Sequence, residues 1–279
     1  MKTERENGRY IITDIGDFDS NAIFTSGQCF RWVKQGDYWQ GISLDKIAKV
    51  KTIPDGIELV CSEDDLQYWI NFLDLEYDYT EAKSQLMQDA DIAPMIDMLP
   101  GMRFLNQDFY ECLMSFIISA NNNIKRITMI INRISQKYGE NLGDGIYTFP
   151  KAEVLAVCTA EDMLACGAGY RAAYIVESAQ KMAAGYEYAN LYTEELDKAR
   201  KELTAFKGVG IKVADCVLLF SLRRKDAFPV DTWIRKVMQS LCSDTSLNDN
   251  QIRAIAAKRF GQNAGLANQY LFHINRTGM

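Results

Sequence analysis

Two residues in the last third of the chain have the types and spacing for covalent chemistry on a sugar or carbonyl. Lys212 stands at the start of an apolar run, two residues after Gly210, and Asp231 follows it by 19 positions in Leu203–Val237, LTAFKGVGIKVADCVLLFSLRRKDAFPVDTWIRKV. A lysine held as the free amine is a nucleophile and forms Schiff bases. The positive end of a helix dipole and partial desolvation both favour that neutral form, whereas a nearby carboxylate favours the charged one. Gly208-Val209-Gly210 lets the backbone reverse sharply between two helices. The free N–H groups at the start of the second helix then make a seat for phosphate. Each part also has an ordinary reading: a glycine turn, a lysine on a phosphate or in solvent, and an aspartate helix cap. Reach allows more. A helix over 212–222 spans about 16 Å, and the eight residues that follow can extend up to about 26 Å, so Asp231 can return beside Lys212.

The elements that must position these groups fall into two parts. Over residues 1–100 the runs Gly8–Thr13, Phe30–Val33, Tyr38–Ile42 and Ile57–Cys61 are short and aromatic or β-branched. Gly36-Asp37 and Pro54-Asp55-Gly56 punctuate them as turns. Asp64–Asp74 changes to helical spacing. From Asp108 onward the pattern predicts helices over 108–119, 124–138, 151–156, 160–166, 172–184, 194–205, 212–222, 231–242, 248–261 and 265–276. The fold class is therefore α+β. An antiparallel sheet domain with helices (1–100) precedes a mostly helical domain (101–279), with the boundary at Pro100-Gly101.

Bulk properties narrow the function classes. At 279 residues and 48% hydrophobic composition the chain can bury a large core. No apolar run reaches the roughly 18–20 residues needed to span a bilayer. The charged start MKTERENGRY lacks the apolar core of a secretory signal. Seven scattered cysteines without a CxxC fit reduced thiols in the cytoplasm and argue against a four-cysteine zinc or iron–sulfur site. The net charge of −6 is polarised. Residues 1–100 hold 9 Lys+Arg against 19 Asp+Glu, residues 101–199 hold 9 against 12, and residues 200–279 hold 13 against 6. A basic excess of +7 thus surrounds the glycine turn, where a polyanion would feel it.

GVGIKVADC at 208–216 followed by FPVD at 228–231 resembles the helix-hairpin-helix DNA glycosylases. Within them the chain is similar to the 8-oxoguanine DNA glycosylase/AP lyase family, through SGQCFRW at 26–32, ISANNNIKRI at 118–127, GAGYRAAYI at 167–175 and, more loosely, AGLANQYLF at 264–272. These motifs span nearly the whole chain, in order. The resemblance implies that Lys212 attacks the deoxyribose C1′ and cuts the strand by β-elimination, with Asp231 stabilising the cationic sugar. It implies that the Gly27 carbonyl accepts the N7–H of the oxidised base; ordinary guanine has an acceptor at N7 instead. Phe272 and Cys216 would sandwich the flipped base. Asn121, Arg126, Tyr170 and Arg171 would fill the gap in the duplex and contact the widowed cytosine, and Gly208, Val209, Gly210 and Trp233 would meet phosphate.

Two positions depart from the family's animal members: Asn268 stands in place of a glutamine that reads the pairing edge of the base, and Trp233 in place of a histidine near the phosphate. Asn268 is one methylene short, and neighbouring Gln269 is the alternative reader. The implied partner is double-stranded DNA carrying 8-oxoguanine opposite cytosine, bound by a monomer in the bacterial cytoplasm at the nucleoid, with no cofactor, metal or membrane. The rival readings are a monofunctional alkylated-base glycosylase, which lacks the lysine, and a non-catalytic hairpin module, which has no need of Asp231 or Gly27.

Overall fold

Residues 1–278 are described by a computed structural model. Six strands form one antiparallel sheet: β1 (Lys2–Glu6), β2 (Arg9–Thr13), β3 (Trp32–Gln35), β4 (Tyr38–Ser43), β5 (Lys46–Ile53) and β6 (Gly56–Val60), in the order β1-β2-β6-β5-β4-β3. Two-residue turns at Asn7-Gly8 and Gly36-Asp37 join β1 to β2 and β3 to β4. The first is the Asn-Gly pair that a tight hairpin prefers, with both residues at positive φ.

The expected α+β arrangement holds; two strands of this sheet, β1 and β5, and the small hairpin of Asn141–Gly143 with Ile146–Tyr147 were not expected. β1 buries none of its residues, so no alternation marks it. β5 buries only Ala48 and Val50 on its inner face and carries lysines at 46, 49 and 51, which blur the period of two. The inner face of the sheet packs Ile12, Val50, Ile57 and Leu59 against Trp32, Trp39 and Trp69.

One short helix matters most here. Ser20–Thr25, between β2 and β3, is capped by Asp19, whose Oδ1 accepts from Asn21 N at 2.8 Å and Ala22 N at 3.0 Å. Ser20 N donates to Thr52 Oγ1 of β5 at 2.9 Å, and Trp39 Nε1 of β4 donates to Asn21 Oδ1 at 2.9 Å. The sheet thereby holds the helix whose end delivers Ser26-Gly27.

Helices Tyr79–Leu86 and Ala93–Met98 precede the Pro100-Gly101 pair and were also absent from the sequence reading. Their apolar residues Tyr79, Ala82, Leu86 and Ile96 pack into the helical core. That core is built by Phe109–Ser119, Ile124–Tyr138, Ala172–Ala183, Leu196–Leu203, Ile211–Ser221, Thr232–Leu241, Asp249–Phe260 and Ala264–Thr277. Among the described residues, no helix is long and apolar enough to cross a membrane, and no group of three or more His, Cys, Asp or Glu is placed to hold a metal ion.

Candidate active site

Helix Leu196–Leu203 ends, Phe206 N and Val209 N close successive turns at 3.1 Å onto Leu203 O and Phe206 O, and helix Ile211–Ser221 begins with Gly210 as its cap. Gly208 has φ +81°, and a Cβ there would lie 2.3 Å from Tyr174 Cδ2, so both backbone and neighbour require glycine. Around Gly210, by contrast, a Cβ would meet nothing within 4 Å. The first amides of Ile211–Ser221 have no partner within their helix and no side-chain cap.

Lys212 lies in the first turn, half-buried, its Nζ 5.3 Å from the centre of the Phe116 ring. One turn further on, Cys216 is buried beside it: burial pushes the thiol up to about 11, while neighbouring Lys212 pulls the other way. Asp231 caps helix Thr232–Leu241, its Oδ1 accepting from Ile234 N at 2.8 Å. The chain does return: Lys212, Cys216 and Asp231 line one cavity of about 50 Å³, together with Gly27 from the sheet domain and Asn268, Gln269 and Phe272 from the last helix.

Gly27 has φ +78°, and a Cβ there would lie 3.3 Å from Phe272 Cε1 and 3.8 Å from Ile124 Cδ1. The Phe272 ring therefore closes over the Gly27 backbone. Asn268 donates from Nδ2 to the Pro229 carbonyl at 2.9 Å. Gln269 is equally buried, and its Oε1 has no partner. One further cation belongs here. Arg276 stacks its guanidinium 5.2 Å from the Phe272 ring centre and donates to the Thr25 carbonyl. Burial lowers its proton affinity and the Asp231 carboxylate opposes that shift. Arg276 escaped sequence reading, although its i+4 relation to Phe272 was a usable signal.

A second cluster forms beyond Ile124. Asn121 is exposed at φ +48°. Tyr170 is 55% exposed and donates its hydroxyl to Ala120 O at 3.1 Å. Arg171 is only 3% exposed. Its Nε donates to Ala120 O at 2.8 Å and its Nη2 to Asn121 O at 3.0 Å, while Tyr170 stacks 4.3 Å from it. Arg171 thus clamps the turn that presents Asn121. Arg126 is exposed, with its backbone N bound to the cap Asn123 Oδ1 at 3.0 Å, and its side chain reaches the Gly169 region beside Arg171. Trp233, in the first turn of its helix, is 48% exposed.

These two clusters meet a specific family pattern. The model for the N-terminal domain of 8-oxoguanine DNA glycosylase matches residues 10–113, and the model for HhH-GPD superfamily base excision DNA repair proteins matches residues 114–262. The chain belongs to the 8-oxoguanine DNA glycosylase/AP lyase family of this superfamily. A probable N-glycosylase/DNA lyase of Methanothermobacter thermautotrophicus is 34% identical over 74% of this chain and 73% of its own. The N-glycosylase/DNA lyase OGG1 of Arabidopsis thaliana is 31% identical over 89% of this chain and 75% of its own. Among solved structures, the Clostridium acetobutylicum 8-oxoguanine glycosylase/lyase, in complex with double-stranded DNA containing cytosine opposite 8-oxoG, superposes with a TM-score of 0.94. That pair is 35% identical over 100% of this chain and 98% of the other.

Proposed function

We propose that this member of the family removes 8-oxoguanine from duplex DNA and then nicks the strand at the vacated sugar. One observation carries the reading: Gly27, Lys212, Asp231 and Phe272, from three distant stretches of sequence, line a single cavity at the mouth of a helix-hairpin-helix. The Lys212 amine forms a bond to C1′ as the C1′–N9 bond breaks, and the base leaves with the electron pair and takes up a proton. The amine then loses a proton and the C1′–O4′ bond breaks, O4′ leaving with the electron pair and taking up a proton, to give an iminium. Removal of a C2′ proton then expels the 3′ phosphate by β-elimination. Asp231 stabilises the positive charge that develops on the sugar.

The Gly27 carbonyl accepts the N7–H of the lesion, Phe272 and Cys216 hold its two faces, and Asn268 or Gln269 reads its pairing edge. Asn121, Arg126 and Tyr170 fill the gap and contact the opposite cytosine, while buried Arg171 holds the Asn121 turn from beneath. Extruding a base costs a few kcal/mol, and these contacts offset it. Gly208, Val209, Gly210 and Trp233 receive backbone phosphate. Residues 1–100 would supply the base-recognition edge and residues 101–279 the nucleophile, in a monomer acting on nucleoid DNA in a bacterial cytoplasm.

Incubation with an 8-oxoguanine·cytosine duplex and borohydride tests the reading. A covalent protein–DNA adduct is expected, and it should vanish in Lys212→Gln while duplex binding persists. Base release with no adduct would overturn the lysine chemistry; binding with no release would overturn the enzymatic reading.

A further inference from the structure

The extended segment between the two parts of the molecule, Arg103–Gln107, touches both halves of the candidate pocket, and no role in the chemistry above has been assigned to it. At one end it holds the residue next to Gly27. Gln28 is fully buried. Its Nε2 donates to Arg103 O at 3.0 Å and to Ser26 Oγ at 3.0 Å, and its Oε1 accepts from Leu105 N at 2.8 Å. The Gln28 carbonyl accepts from Gln107 Nε2 at 2.6 Å. At the other end, the Gln107 backbone N donates to Phe220 O at 2.9 Å, and Phe220 belongs to the helix that carries Lys212 and itself lines the cavity. A single residue, Gln107, therefore bonds through its side chain to the Gly27 loop and through its backbone to the nucleophile helix.

We propose that Gln28 and Gln107 are positioning residues that fix the Gly27 carbonyl at a set distance from Lys212, and so set discrimination for the oxidised base. The inference rests on the proposed recognition of N7–H by Gly27. A peptide carbonyl in a loop at positive φ has no regular ladder to hold it. Its direction is determined by what grips the next residue, and here that grip is three hydrogen bonds with the extended segment 103–107 and one to Ser26. Loss of one such neutral bond is worth up to about 1.5 kcal/mol, or roughly tenfold in a rate that depends on the geometry.

The test separates base recognition from sugar chemistry. Gln107→Met keeps the length of the side chain and removes its donor, while its backbone bond to Phe220 remains. It should lower single-turnover excision of 8-oxoguanine opposite cytosine about tenfold and lower the binding preference for the lesion duplex over an undamaged duplex by a similar factor. Cleavage of a preformed abasic site, which needs Lys212 and no base pocket, should stay within about twofold of the parent. Gln28→Met should show the same split, and Gln107 serves alone where loss of the more buried residue prevents folding. Unchanged excision in soluble Gln107→Met would overturn the inference, as would equal losses on lesion and abasic site, the signature of a merely structural role. If the parent protein cleaves abasic sites and leaves 8-oxoguanine in place, the recognition reading fails with it.

Discussion

The cap that Asp231 provides and the catalytic role proposed for it can be separated by one pair of substitutions. As a cap Asp231 accepts from Ile234 N at 2.8 Å; as a charge it faces the cavity shared with Lys212. Asparagine caps a helix about as well as aspartate, whereas alanine costs about 1 kcal/mol. Asp231→Ala should therefore lower the melting temperature by about 2–4 °C, and Asp231→Asn should leave it nearly unchanged. The catalytic loss is larger and common to both. A full positive charge on the sugar about 5 Å from the carboxylate, at an effective dielectric constant of about 20, is stabilised by about 3 kcal/mol. That corresponds to a rate loss of about 100- to 1000-fold, the range found when one transition-state stabiliser is removed. Arg276 would lose the carboxylate charge that opposes the effect of its burial. The assay is single-turnover excision on an 8-oxoguanine·cytosine duplex beside thermal unfolding of the same preparations. Asp231→Asn that excises at the parental rate would reduce the carboxylate to a cap. Asp231→Asn that melts as early as Asp231→Ala would refute the capping argument.

Three other outcomes follow from single features of the structure. Gly208→Ala collides with Tyr174 at positive φ and should lose stability, whereas Gly210→Ala meets nothing and should melt normally but bind duplex more weakly; thermal melts and a binding titration check both. Gln269→Met removes a buried acceptor with no protein partner, so stability should hold or rise while lesion excision falls about tenfold; parental excision in this variant, with loss in Asn268→Ala, would assign the base edge to Asn268. Burial, opposed by Arg200, raises the Asp215 carboxyl to about 6. Its folded value thus lies above its unfolded one, and its contribution to stability is present below about pH 4 and lost as pH rises through about 6. The melting advantage of the parent over Asp215→Asn should shrink across that window.

The parts of this site that sequence made legible were those with a local cause. The hairpin needs glycine at Gly208, Asp231 opens a helix after Pro229, and Lys212 sits in the first turn of an apolar run; each leaves a mark within a few residues. The polar groups that hold the site together leave none. Gln28 reaches partners 75 to 79 positions away, and Arg171 reaches carbonyls 50 and 51 positions away. A buried glutamine or arginine looks, in sequence, like any surface residue. The same reasoning explains the fold: Tyr38–Ser43 has a buried face and was visible, whereas β1 has none. Helices 79–86 and 93–98 were missed although the equally short 66–72 and 160–165 were legible, so length alone does not account for them.

The cavity between Lys212 and Phe272 holds about 50 Å³, well below the roughly 300–1,000 Å³ of ordinary ligand pockets. No purine occupies it until Phe272 and its neighbours move. A nucleobase free in solution brings nothing to drive that movement, whereas a nucleotide still tethered in a strand brings phosphates gripped on both sides. The narrow pocket thus predicts that a base enters together with strand contacts that offset the opening of its lining.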